Sequence, residues 1–442
     1  MVKDSQSPSA FQPESVATLR QARIALAITA ALLLACVLFW APDASRCDFG
    51  PMYVAGYMVR HGESARIYNL AEQGKYQQAI VGRHTLLPFP YPPFSTLLFA
   101  ALASLPYHLA YVLWDVVSVI LWVSFVLLMR RSIPAPQNPF VYFLLCFAFW
   151  PCWIVLLQGQ TSLVVLLTYA LAFRSLQQKH EQRAGAFLGL GLLKYHFVLP
   201  FVAISILRRR WRLVAGFASV ALALTAVSAA AVGWSGLVSY EQLMQSAIRN
   251  PRFLAVHTQD WLSLSGVLDA LSAARSGRES WLRLLGTASS LALILLAAWR
   301  WRLQDRREDG RGQDLAFATA MTVSVVATSH LLFHDLSLLL LPLLIVIASP
   351  QWRQKPVWRG GMIASVGVLY IPPVWALLVN RELLYWLCPA LLAFTLSMLG
   401  LTWSEPVPGA KAAGEDARTT TSHAGGALVA GETPALQQSR ST

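Results

Sequence analysis

The sequence predicts an all-α polytopic membrane protein, with about ten transmembrane helices and additional re-entrant or interfacial half-helices. Three observations carry that expectation. Of 442 residues, 56% are hydrophobic and 13% charged, with a mean hydropathy of +0.50, a composition foreign to water-soluble domains. The apolar residues gather into long blocks suited to crossing a bilayer. Basic residues cluster between the blocks, as they do in short loops retained in the cytoplasm.

Taken in order, the first block is 22–40, "ARIALAITAALLLACVLFW". Its length and its lack of a small-residue cleavage site point to a retained anchor rather than a signal peptide. Further blocks lie at 107–129, 140–157, 161–177, 213–232, 283–302, 314–333, 335–349, 360–379 and 383–402, which makes ten spans. With residues 1–21 in the cytoplasm, the inward segments carry 19 Lys and Arg against 10 in the outward loops, and this sets the orientation. Residues 403–442 are rich in Gly, Ala, Ser, Thr and Pro without apolar periodicity, and are expected to form a disordered cytoplasmic tail. The transmembrane domain is therefore expected over 22–402.

Two apolar stretches do not fit a simple crossing. Residues 94–104 are too short, and Pro90, Pro92 and Pro93 before them forbid a helix and force an extended turn. Between Met52 and Leu70 the chain has the amphipathic cast of a helix at headgroup level. Residues 185–206 have basic clusters at both ends and Lys194 and His196 in the middle. Both ends are then cytoplasmic, which two half-length helices satisfy by entering and returning. Lys194 is either an intramembrane cation for an anionic ligand, or a lysine that snorkels or pairs with a carboxylate.

The net charge of +13 is explained by inward basic loops and attraction to anionic membrane lipids, and implies no nucleic-acid partner. Five cysteines show no spacing of a metal site or disulfide framework. His330 and His334 have the i, i+4 spacing of a metal pair but lack an accompanying glutamate motif. No cofactor is called for; a divalent cation is compatible with the chemistry below but is not indicated.

By parity of the spans, the polar clusters converge on the outward side: Asp48, Gln158 and Gln160, His257 and Asp260, and His330, His334 and Asp335. Asp48 has an ordinary alternative as the cap of the helix that follows it. Asp115 sits in the outward half of its span, where a carboxylate must be paired or wetted. It is expected to line a cavity or to pair with Lys194.

The order of these segments resembles glycosyltransferase family 87, a branch of the GT-C membrane glycosyltransferases that includes polyprenyl-phosphate-mannose-dependent α-mannosyltransferases. The carriers are "DFGPMYVAGYMVRHGESARIYNL", "FPYPPFSTLLFAALASLPYHLAYVLWDVVS", "QGQTSLVVLLTYALAFRS", "AGAFLGLGLLKYHFVLPFVAISILRRRWR", "QDWLSLSGVL" and "SHLLFHDLSLLLLP". The chain departs from the family where Lys194-Tyr195 stands for a frequent Lys-Pro, and where His334-Asp335 stands for adjacent histidines. The resemblance implies a GT-C-like fold and transfer of a hexose, with mannose the family-level favourite, from polyprenyl monophosphate to a lipid or glycan acceptor.

The resemblance also implies that Asp48 is the general base, which agrees with a carboxylate placed where lipidic and water-soluble reactants meet. Lys194, His196, His334, Asp335 and Gln160 are then the donor phosphate or sugar residues. Tyr53, Tyr91, Asp115, His257 and Asp260 are the acceptor or cavity-lining residues. The expected place is the cell membrane, with both termini inside and the site on the outer face. A lipid-linked-sugar flippase or transporter is the alternative, although no second copy of the Asp48 or Lys194 segment shows the internal repeat common in transporters.

Overall fold

The computed structural model describes residues 48–134 except 83 and 85, 138–249, 261–268, 280–304, 311–371 except 329, and 383–402, with a few isolated positions elsewhere. The block expected at 22–40, the tail beyond 402, and His257 and Asp260 lie outside the described residues. Every regular element described is helical. In chain order these are α1 (Phe49–Arg60), α2 (Leu70–Tyr76), α3 (Ser95–Leu102), α4 (Tyr107–Ser132), α5 (Pro139–Phe147), α6 (Trp150–Gln158), α7 (Ser162–Gln177) and α8 (Glu181–Leu190). There follow α9 (Tyr195–Leu207), α10 (Trp211–Arg249, interrupted at Gly233), α11 (Ser280–Gln304), α12 (Arg311–Val326), α13 (Leu340–Ile347), α14 (Pro350–Gln354), α15 (Pro356–Gly367) and α16 (Leu387–Leu401).

Five helical stretches among the described residues are long and apolar enough to cross a membrane: Tyr107–Ser132, Glu181–Leu207, Trp211–Ile248, Trp281–Gln304 and Leu384–Leu401. Counting α5 and α6 as one broken span brings the number to six. Several expected blocks are shorter or interrupted. The block at 140–157 bends by 45° between α5 and α6, where Pro151 cannot donate to the preceding helix. The stretch at 335–349 begins as a 3₁₀ turn, Phe333–Leu339, before it becomes α13.

Glu181–Leu207 is 27 residues long, and a straight helix of that length would run about 40 Å. Its two ends nevertheless lie together, because Arg210 Nε is 3.2 Å from Glu181 Oε1. The reversal falls at the 3₁₀ turn Gly191–Lys194, where Lys194 leaves helical geometry with φ −126° and ψ 68°. The segment is thus a helical hairpin. Its base is set by backbone contact with α10. A Cβ on Gly185 would stand 1.8 Å from the Leu213 carbonyl oxygen, and one on Gly216 would stand 1.9 Å from that of Gln182. Only residues without Cβ permit so close a crossing.

Two apolar clusters hold the fold. The larger joins α4 through α16, with α10 contributing Leu213 and Phe217. The smaller gathers α1, α3 and the first half of α4 around Phe49, which contacts the rings of Tyr107 and Trp114 at centroid distances of 5.9 and 6.5 Å. α1 differs from the expected headgroup-level helix, since Phe49 to Gly56 are all buried inside the protein. The reason is α3, whose backbone approaches so closely that a Cβ on Gly56 would lie 2.3 Å from the Phe99 carbonyl carbon.

Candidate active site

Asp48 occupies the position immediately before α1, but its carboxylate makes no capping hydrogen bond to that helix. It accepts instead from Gln160 Nε2, at 2.7 Å. Tyr91 Oη donates to Gln160 Oε1 at 2.8 Å, so the two ends of one amide connect the phenol to the carboxylate. Burial pushes the Tyr91 phenol up from its ordinary pKa, which keeps it a hydrogen-bond donor.

The backbone around these groups is fixed by specific contacts. Gln160 follows Gly159, which ends α6 with φ +63°. A Cβ there would stand 2.7 Å from Phe49 Cβ, so this left-handed turn and close approach call for glycine. Trp114 Nε1 donates to the Gly159 carbonyl oxygen at 2.9 Å and ties the turn to α4.

Tyr91 arrives on the extended proline-rich segment, which borrows hydrogen bonds from two buried glutamines on and just after α2. Phe89 N donates to Gln73 Oε1 at 2.9 Å and Leu87 N to Gln77 Oε1 at 3.1 Å. Gln77 Nε2 returns a bond to the Leu87 carbonyl oxygen at 2.7 Å. These amides replace the neighbouring strand that an extended segment would otherwise need.

The second half of the site is built around the tip of the hairpin. Lys194 Nζ donates to Asp335 Oδ1 at 2.6 Å and to Ser162 Oγ at 2.9 Å, while Ser162 Oγ donates to the same Asp335 oxygen at 2.8 Å. Lys194 is 4% exposed and Asp335 2%, so the two charges are removed from solvent together. His334 Nδ1 bonds Gln158 Oε1 at 2.8 Å, and its Nε2 faces Asp335 Oδ2 at 3.4 Å. An ammonium has three N–H donors. Lys194 spends two of them inside this cluster.

Both halves line one cavity of about 340 Å³. Its polar wall includes Asp48, Tyr91, Gln158, Gln160, Lys194, His196, His330, His334 and Asp335, and its apolar wall includes Pro51, Leu87, Met244 and Ile248. On the apolar wall, Ile248 is 76% exposed. A carboxylate acceptor thus shares one chamber with a buried cation and three histidines. The arrangement can take a proton at one end and hold an anion at the other.

The family model of glycosyltransferase family 87 matches residues 89–329, more than half of the chain. The chain belongs to that family. No curated protein and no solved structure matches it. As a glycosyltransferase with several membrane-length helices, it works with a sugar donor, an acceptor and lipids.

Of the residues singled out in the sequence, this glycosyltransferase brings Asp48, Tyr91, Gln160, Lys194, His196, His334 and Asp335 to one cavity. Tyr53 and Asp115 do not line it. Tyr53 donates its hydroxyl to the Leu105 carbonyl oxygen at 2.8 Å, within the α1 cluster. Asp115 is buried in α4, and its Oδ1 has no hydrogen bond among the described residues. The carboxylate that meets Lys194 is Asp335, not Asp115. Ser162 carries no signal in the sequence, because a single serine after "QGQT" has no distinguishing pattern. Gln158 and His330 stand out in the sequence as outward polar groups, to which the sequence assigns no role.

Proposed function

We propose that this glycosyltransferase is an inverting enzyme that moves a hexose, with mannose the first choice, from polyprenyl monophosphate to a hydroxyl of a lipid or glycan. The supporting observation is that Asp48 and the Lys194–Asp335–His334 cluster, drawn from distant parts of the chain, line one cavity.

In this reading the acceptor oxygen attacks the anomeric carbon as the bond from that carbon to the phosphate oxygen breaks. The hydroxyl proton passes to Asp48, and the electron pair leaves on the polyprenyl phosphate. The uncommitted N–H of Lys194 holds the developing phosphate charge, with His196 donating to phosphate or sugar oxygens, while His334, whose Nδ1–H is given to Gln158, accepts from a sugar hydroxyl at Nε2. Asp335 and Ser162 hold Lys194 in place. Gln160 orients Asp48 rather than touching the donor. The apolar wall at Leu87, Met244 and Ile248 suits an isoprenoid chain. Direct displacement on a β-linked donor gives an α-linked product.

The excess of inward Lys and Arg supports a site on the outer face with both termini cytoplasmic. The meeting of Glu181 with Arg210 supports a re-entrant hairpin with Lys194 at its tip. The test is transfer from β-linked polyprenyl-phosphate-mannose by the purified full chain, with the product digested by anomer-specific mannosidases. An α-linked product is expected; a β-linked one would overturn the inverting mechanism.

A further inference from the structure

A second cavity, of about 530 Å³, lies at the opposite end of α7 from the candidate active site. Ser162, at one end of that 16-residue helix, touches Lys194, whereas Arg174 and Gln177 at the other end line this cavity. The helical rise separates the two by about 20 Å. Its lining brings together three cations, Arg174, Lys179 and Arg210, against one carboxylate, Asp314.

The cations are held in different ways. Arg210 is committed at Nε to Glu181, at 3.2 Å, and its guanidinium carbon lies 4.9 Å from the centroid of the Trp301 ring. Arg174 Nη1 donates to Gln177 Oε1 at 3.4 Å, and Gln177 Nε2 contacts Asp314 Oδ2 at 3.3 Å, so Asp314 is occupied by an amide. Neither Arg174 nor Lys179 has a carboxylate partner among the described residues. The cavity therefore keeps positive charge to spare.

Its surroundings are those of a lipid headgroup. α9 ends on Ile206 and Leu207, 42% and 50% exposed, and Trp211, which follows Arg210, is 60% exposed. Exposed aliphatic side chains followed by an exposed tryptophan mark the level at which a helix leaves hydrocarbon for headgroups. Basic pockets at that level between helices take anionic headgroups.

We propose that this cavity binds the phosphate of an anionic phospholipid, held by Arg174, Lys179 and Arg210, and that the bound lipid braces the base of the hairpin whose tip carries Lys194. The site is separate from the transferase cavity and does not depend on the proposed reaction. Its ligand chemistry is a phosphate, and the exposed apolar residues that flank Arg210 in the α9–α10 turn favour the lipid source over a soluble one.

The test uses the purified full chain in neutral detergent, with dioleoylphosphatidylglycerol or dioleoylphosphatidylcholine added at equal concentration and retained lipid counted by native mass spectrometry. Wild type is expected to retain the phosphatidylglycerol at least about 25-fold better than the phosphatidylcholine. The Arg174→Gln/Lys179→Gln variant is expected to weaken that retention by roughly five-fold for each charge removed, with an unchanged elution profile and melting transition. Equal retention of the two lipids by wild type, or an undiminished preference in the folded variant, would overturn the proposal. Inorganic phosphate in the millimolar range serves as the soluble arm. If it alone binds in an Arg174- and Lys179-dependent way, with no advantage for the phosphatidylglycerol, the lipid assignment is overturned in favour of a soluble phosphate.

Discussion

Gln160 holds Asp48 by a 2.7 Å hydrogen bond across 112 positions of sequence, while Asp48 leaves its own helix uncapped. A carboxylate used only as a cap would bond the first turn of α1. This one is aimed by a side-chain amide into the cavity shared with Lys194.

Replacement of Gln160 tests that aim. Gln160→Leu removes both hydrogen bonds and is expected to lower kcat by about 10- to 100-fold with little change in donor KM, because misorientation of a general base costs rate rather than binding. Gln160→Glu keeps the shape but sets a second carboxylate beside the first. Like charge disfavours ionisation of the base, so the acid limb of the pH–rate profile moves to higher pH. A pH profile identical to wild type would show that the two side chains do not interact.

The Lys194–Asp335 pair separates stability from catalysis. Lys194→Met leaves Asp335 buried and uncompensated, at a cost of about 3–5 kcal/mol in unfolding free energy. Adding Asp335→Asn removes the orphaned charge, so the double variant is expected to recover most of the melting temperature. It remains inactive, because the cation for the donor phosphate is still missing. Recovery of activity along with stability would assign Lys194 a purely structural role.

Much of this arrangement was legible in the sequence, and the limits have physical causes. Asp48 stands out as an acidic residue just beyond an apolar block, and Lys194 as a cation within an apolar stretch that has basic clusters on both sides. Partnership was not legible. Lys194 and Asp335 are 141 positions apart, and Ser162 sits between them only because α7 begins beside the hairpin tip. Apolar periodicity reports which face of a helix is buried, not which polar atom another helix brings to it. The span count was blurred for a related reason. Residues 140–157 are apolar throughout, so composition alone does not reveal the 45° bend at the α5–α6 junction.

Asp115 provides the contrast to Asp48. It is the same residue type and more deeply buried, yet it stands outside the cavity. Asp115→Asn is expected to keep transfer within about three-fold of wild type and to leave the melting temperature unchanged or raised, since a neutral amide is easier to bury than a carboxylate with an unbonded oxygen. A loss of a hundred-fold or more in a folded variant would return Asp115 to the site.

The most direct measurement compares wild type with Asp48→Asn, at matched folding, for transfer of labelled mannose from polyprenyl-phosphate-mannose to a lipid acceptor. The account predicts transfer by wild type and a fall in kcat of about 10²- to 10⁴-fold in the variant, with donor binding retained. Equal transfer by both proteins would contradict the assignment of Asp48 as the base.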